Sequence, residues 1–332
     1  MNHQFNGCSH ARPKLYCIYE MIRILDELTG GVLQADMFLR HFRASREAAI
    51  QKRSPFRNVG ALVILLLLSP SPAGSTDLKP EAVQGFDQYV RLTQERMKGE
   101  LAPGGAFLWV DGLPEPRRSD VYARLQRGDE ISERLRTADP SGRSTTPGAI
   151  IHHWIGTIFI PGVTLQQVLA VVQDYDHHAR DYAPQVTQSK TLEHRDGDFK
   201  IFYRLRKKKI LTIVLDANFD VHHHVLGPGR DYGDSFSTRI AQVENAGEPG
   251  EHELPPGKDG GYLWRLNSYW RYFDSGRGVY VQCEAISLTR DLPTGLAWFI
   301  GPMVESLPKE SLQFTLQSTR AAVLRERASG GH

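Results

Sequence analysis

The period of hydrophobic and polar positions changes once along the chain, near residue 149. Upstream, Val83, Phe86, Val90 and Met97 recur at steps of three, four and seven. That spacing predicts a helix over 78–98 with Pro80 in its first turn, where a missing N–H costs nothing. A short strand and turn over 106–114, a helix over 119–128 with Ser119 as cap and Gly128 as stop, and an edge strand over 129–137 follow. The stretch 137–148 is rich in Ser, Thr, Pro and Gly and reads as a connector. Downstream, AIIHHWIGTIFI predicts a strand, PG a turn, and Thr164 the cap of a helix with Leu165, Val168, Leu169 and Val172 on one side. A second short helix over 175–182 ends before Pro184. Six further strands, at 186–195, 198–209, 210–225, 231–245, 262–274 and 278–291, are punctuated by glycines and a polar loop at 247–261. A long amphipathic helix closes the chain from 296 to 325, with interruptions expected near Pro302 and Pro308.

Strand, two helices, six strands and a long helix differ from the strict alternation of a doubly wound α/β chain. Consecutive strands joined by short turns form an antiparallel meander. Seven curved strands cannot bury their concave face against themselves, so the last helix fills it. Alternation then assigns faces. Ile201, Tyr203 and Leu205 oppose Arg204, Arg206 and Lys208; Leu211 to Val221 share a face at every second residue; Trp264, Leu266, Ser268, Trp270 and Tyr272 oppose Arg265, Asn267 and Arg271. Interior side chains with a polar handle are Tyr203, His223, Trp264, Ser268, Trp270, Tyr272 and Cys283, a set suited to orienting an apolar guest.

Residues 149–325 resemble the START-like, or SRPBCC, helix-grip superfamily of lipid-transfer START domains, birch-pollen-allergen-like proteins and polyketide cyclases. The resemblance rests on element order, on AIIHHWIGTIFIPG leading into LQQVLAVVQDYDHH, and on YLWRLNSYWRY and VQCEAISLTRDLP before the last helix. It covers a little over half of the chain, and it extends to exported bacterial proteins of this type. It implies an α+β helix-grip fold: a curved antiparallel seven-stranded sheet wrapped on a long C-terminal helix, with 76–148 a small α+β extension. It transfers no catalytic motif and no cofactor.

Composition adds two boundaries. Charge is nearly balanced, 40 Lys+Arg against 38 Asp+Glu, so no global field points to nucleic acid. Three cysteines, Cys8, Cys17 and Cys283, are too sparse for a disulfide framework or a zinc site. At 51–75, Lys52, Arg53 and Arg57 precede an apolar run from Val59 to Leu68 and a Ser/Pro/Ala/Gly stretch, the order of a secretory signal. The run is about half the length that crosses a bilayer. Residues 1–50 stand awkwardly before such a signal and read as a non-native or disordered leader, with a true start near Met37; 326–332 reads as a disordered tail. The expected location is periplasmic or secreted.

Four constellations could bear chemistry. The histidine runs 152–153, 177–178 and 222–224 supply imidazoles, but neighbours on a strand face opposite ways and no HExxH or thiolate set accompanies them, so no metal is expected. Asp174, His177 and His178 close the first helix and form the acid–base candidates. Glu284 and Arg290 read as a surface or sheet-edge charge pair. The basic run Arg204, Arg206, Lys207, Lys208 and Lys209 suits either a solvated hairpin or transient contact with a membrane surface. The function expected from these features is an exported binding protein for a hydrophobic small molecule or lipid. The alternatives are a cyclase- or hydratase-like enzyme in the same cavity and a protein acting through its surface alone.

Overall fold

Most strands after 149 carry runs of apolar residues at alternate positions, and such strands bury that face by pairing side by side and curling over a helix. The computed structural model shows that arrangement for residues 76–137, 146–208, 212–291 and 297–330. The segments 1–50 and 51–75, Lys209 and the final two residues lie outside the described residues.

In chain order the elements are β1 (Thr76–Asp77), α1 (Pro80–Leu101), a 3₁₀ turn (Trp109–Gly112), α2 (Arg117–Gln126), β2 (Ile131–Arg134) and β3 (Ala149–Pro161). Then come α3 (Leu165–Val172), a second 3₁₀ turn (Tyr175–His177), α4 (His178–Asp181), β4 (Val186–Arg195), β5 (Asp198–Lys208), β6 (Thr212–Gly227) and β7 (Arg230–Glu244). The chain closes with β8 (His252–Glu253), β9 (Lys258–Asp259), β10 (Arg265–Asp274), β11 (Gly278–Arg290) and α5 (Ala297–Ser329). The fold is α+β, a curved antiparallel sheet gripping its C-terminal helix.

The sheet is larger than the seven strands expected. Its order is β2-β3-β11-β10-β7-β6-β5-β4, with β8 added beside β7. The extra edge comes from the extension, where Ile131–Arg134 pair with Trp154–Thr157 of β3. Register shifts between Asn218 and Phe219 in β6, and twice in β4, leave extra residues unpaired and bend the sheet.

Both faces are buried, by different helices. On the concave side α5 lays Leu312, Leu316, Ala322 and Val323 on Ile158, Ile160, Val279 and Val281, with Val168, Val171 and Val172 of α3 beside them. The helix passes close above Gly156, where a Cβ would lie 2.6 Å from Leu316 Cδ1. Thr164 caps α3 as expected, accepting from the Gln167 N–H while Gln167 Oε1 accepts from the Thr164 N–H at 2.9 Å. On the convex side α1 buries Ala82, Phe86, Tyr89, Val90 and Met97 on Tyr269, Ile286 and Leu288. The segment 76–137 therefore supplies an edge strand and the outer layer of this sheet.

Several local expectations are corrected. Residues 106–114 hold a 3₁₀ turn rather than a strand, because Leu108 N–H bonds Asp111 Oδ2 and Trp109 N–H bonds Gln282 Oε1 instead of a ladder. Helix α2 starts at Arg117, before Ser119, whose hydroxyl and N–H are held by Glu115. Helix α5 runs unbroken past Pro302 and Pro308 for 33 residues. Its packing on the sheet outweighs the local cost of proline, about 3 kcal/mol for an unsupported helix interior. It also runs through the residues expected to form a loose tail as far as Ser329, with Arg327 reaching the Pro161 carbonyl at 3.3 Å.

Candidate functional site

The concave face is apolar with polar groups set into it. Cross-strand pairing places Phe199, Val221, Ser235, Ser268, Ala285 and Trp154 in one row. The neighbouring row holds His223, Gly233, Trp270, Cys283 and Gly156. Of the residues singled out from alternation, Tyr203, His223, Ser268, Trp270 and Tyr272 lie on this face. Trp270 and Tyr272 stack with ring centroids 6.2 Å apart, and Trp270 Nε1–H donates to Ser268 Oγ at 3.2 Å. Cys283 is buried in the same layer, and burial pushes its thiol well up, so it stays an inert thiol there.

Trp264 is the exception. It packs with Phe86, Tyr269, Ile286 and Leu288 on the convex face, and its Nε1–H donates to the buried Asp259 at 3.0 Å. The ladder of β10 begins at Arg265, so the two-residue period that orders Leu266 to Tyr272 does not reach Trp264.

The acid–base candidates separate. His177 and Asp174 form an exposed surface pair, Nδ1 to Oδ2 2.7 Å. His178 turns inward. Its Nε2–H donates to the Val171 carbonyl at 3.3 Å and its Nδ1 accepts from the Tyr203 hydroxyl at 2.6 Å, so both nitrogens are occupied in the neutral ring. Burial pulls its pKa down to about 4, against opposing pulls from the Val171 carbonyl and Asp181. Burial likewise holds the phenols of Tyr175, Tyr203 and Tyr272 protonated, and that of Tyr182 is pushed up to about 12.

Three groups that sequence reasoning did not single out complete the layer. The Tyr175 hydroxyl lies 2.9 Å from His223 Nε2, and Tyr182 bonds Thr319 of α5 at 3.0 Å. Asp231 sits on β7 diagonally from His223, its Oδ1 3.8 Å from Nδ1, with both side chains buried. The signal was present in β7, where Asp231, Gly233, Ser235 and Ser237 repeat every second residue. Only the pairing with β6 shows that this polar-looking face is the interior one.

The opposite face holds a second buried polar chain. Thr137 N–H donates to the Tyr89 hydroxyl at 2.8 Å, Tyr89 donates to His153 Nδ1 at 2.8 Å, and His153 Nε2–H donates to Glu284 at 2.6 Å. Arg96 of α1 pairs with Glu284, and Arg271 binds Glu100 at 2.6 Å and the Phe107 carbonyl at 2.8 Å. Glu284 is thus no surface or edge charge: it is 1% exposed, because α1 roofs that face, and its partners are His153 and Arg96. These partners hold its carboxyl below the usual range even though burial pushes it up.

The basic run is partly occupied. Arg204 is bidentate on Asp216 at 2.7 and 2.8 Å and also binds Glu251, while Lys207 reaches Ser311 of α5 at 3.1 Å; Arg206 and Lys208 are exposed. Among the described residues, no group of three His, Cys, Asp or Glu converges as a metal set, and no helix is long and apolar enough to cross a membrane.

No family model and no curated protein matches the chain. Solved structures of similar arrangement include a STAR-related lipid transfer protein from Xanthomonas axonopodis, 16% identical over 58% of this chain and 98% of its own, TM-score 0.37. The Zhui aromatase/cyclase from Streptomyces sp. R1128 is 13% identical over 55% and 99%, TM-score 0.36. A START superfamily protein from Mycobacterium smegmatis is 9% identical over 53% and 97%, TM-score 0.33. The helix-grip assignment rests on the strand order and on the placement of α5.

Proposed function

We propose that this chain is an exported binding protein for a hydrophobic small molecule or lipid, held between the concave face of the sheet and α5. One observation carries the reading: large apolar-bodied side chains on the concave face are left partly uncovered. On the concave side Trp154, Leu205, Ile213, Leu266 and Trp270 remain only half-buried, although they are large, apolar-bodied and directed towards the helix layer. Apolar surface left uncovered inside a fold is surface a guest can cover, at about 25 cal/mol per Å² before the costs of binding.

Acid–base catalysis in the same space is the weaker reading. Both nitrogens of His178 are spent, and the carboxylate nearest His223 is beyond hydrogen-bond reach at 3.8 Å. The buried phenols stay protonated near neutrality.

Extraction of the purified full chain into chloroform–methanol, followed by mass spectrometry, tests the carrier reading. A co-purifying apolar molecule, lost after delipidation and regained from a lipid mixture, is the expected result. Failure both to find one and to bind an apolar fluorescent probe would overturn it. Export rests on the segment 51–75, and amino-terminal sequencing of the mature protein tests it: an intact residue 1 refutes it. Docking on a membrane would fall to Arg206 and Lys208.

A further inference from the structure

We propose that the guest presents a hydroxyl group, received between His223 and Asp231; the proposal rests on the carrier reading and names the polar end of that guest. The two atoms concerned are His223 Nδ1 and Asp231 Oδ1, on adjacent strands of the concave face and 3.8 Å apart. Their side chains are 7% and 2% exposed, and neither atom has a hydrogen-bond partner. Buried polar atoms are nearly always paired, so two orphans side by side in the concave wall mark a place where a polar group belongs.

The protonation pattern selects the group. A carboxylate beside Nδ1 favours the tautomer with the proton on Nδ1, which leaves Nε2 to accept from the Tyr175 hydroxyl at 2.9 Å. The gap then offers one donor, Nδ1–H, and one acceptor, Oδ1. A hydroxyl is the complement, accepting from the imidazole and donating to the carboxylate. An ether or ketone oxygen can do only the first, and a guest carboxylate would meet Asp231 as a like charge. An oxygen about 2.8 Å from each atom spans the separation.

The surroundings fit that use. Gly233 stands opposite His223 in the ladder, and a Cβ there would lie 3.3 Å from Nδ1 and 3.4 Å from Cε1, so glycine keeps clear the side of the ring that carries the orphan nitrogen. Phe199, Val221 and Tyr175 bracket the site with apolar surface for the guest's body. The class of guest is therefore an alcohol or phenol on an apolar skeleton.

Displacement of a bound fluorescent probe, 1-anilinonaphthalene-8-sulfonate, from the delipidated full chain tests this with dodecan-1-ol against its methyl ether. The two share the chain and the acceptor oxygen and differ in the donor. The alcohol should displace the probe at about ten-fold lower concentration, the scale of one hydrogen bond to a buried charged group. Asp231→Leu should bring the ratio to within about two-fold, and Gly233→Ala, a milder change, should do the same by crowding Nδ1. Equal displacement by both compounds in the wild type overturns the hydroxyl proposal and leaves the carrier reading standing, as does a ratio that survives both substitutions. Displacement by neither compound overturns the two together.

Discussion

Acidification from pH 7 to 5 should weaken the fold through His178. The ring is buried between α3, α4 and β5 with both nitrogens bonded in the neutral form, and its pKa lies at about 4 against 6.5 for the free side chain. Because the folded value is the lower one, the unfolded chain takes up the proton first. The stability contribution is whole above pH 6.5, drains away as the pH falls towards 4, and changes no further below that. A gap from 6.5 to about 4 amounts to about 3 kcal/mol in full, of which about 2 kcal/mol is lost by pH 5. For a unit of this size that is roughly 4–8 °C in Tm. Thermal or urea melts of wild type and His178→Gln at both pH values isolate the effect. Glutamine keeps hydrogen-bonding capacity but does not titrate, and contributions from Glu284 and the other histidines cancel in the difference. Wild type should lose about 2 kcal/mol more than the variant. Parallel pH dependence in the two proteins would refute a neutral, buried His178.

Other substitutions test the two layers. Glu284→Ala strips the partner from His153 and Arg96 under α1 and should cost about 3 kcal/mol in urea unfolding. Gly156→Ala drives a methyl into Leu316 and should cost about 1–3 kcal/mol; Leu316→Ala in that background should recover part of the loss, a coupling visible in a double-mutant cycle. Phe86→Ala should cost about 3–5 kcal/mol, and a chain starting at residue 149 should bind a hydrophobic dye strongly, since it would bare Tyr269, Ile286 and Leu288. A well-folded, monomeric truncation would show instead that α1 is dispensable.

Period and order along the sequence determined the frame: the curved meander, the helix pair after the first long strand, and the final helix. They also placed Tyr203, His223, Ser268, Trp270 and Tyr272 on the inner face, because within a ladder the alternation of side chains is a covalent property of an extended chain. What lies outside a ladder escaped that logic, as Trp264 did one residue before β10. Partnership escaped it too. Asp231 and His223 are eight positions apart and meet only because β6 and β7 pair in one register. Glu284 reads as a solvent charge until α1, nearly two hundred residues earlier, is laid over it. A local pattern records which way a side chain points. What it meets there, and whether water remains, is fixed only when distant segments pack together, because desolvation and pairing depend on all the neighbours at once.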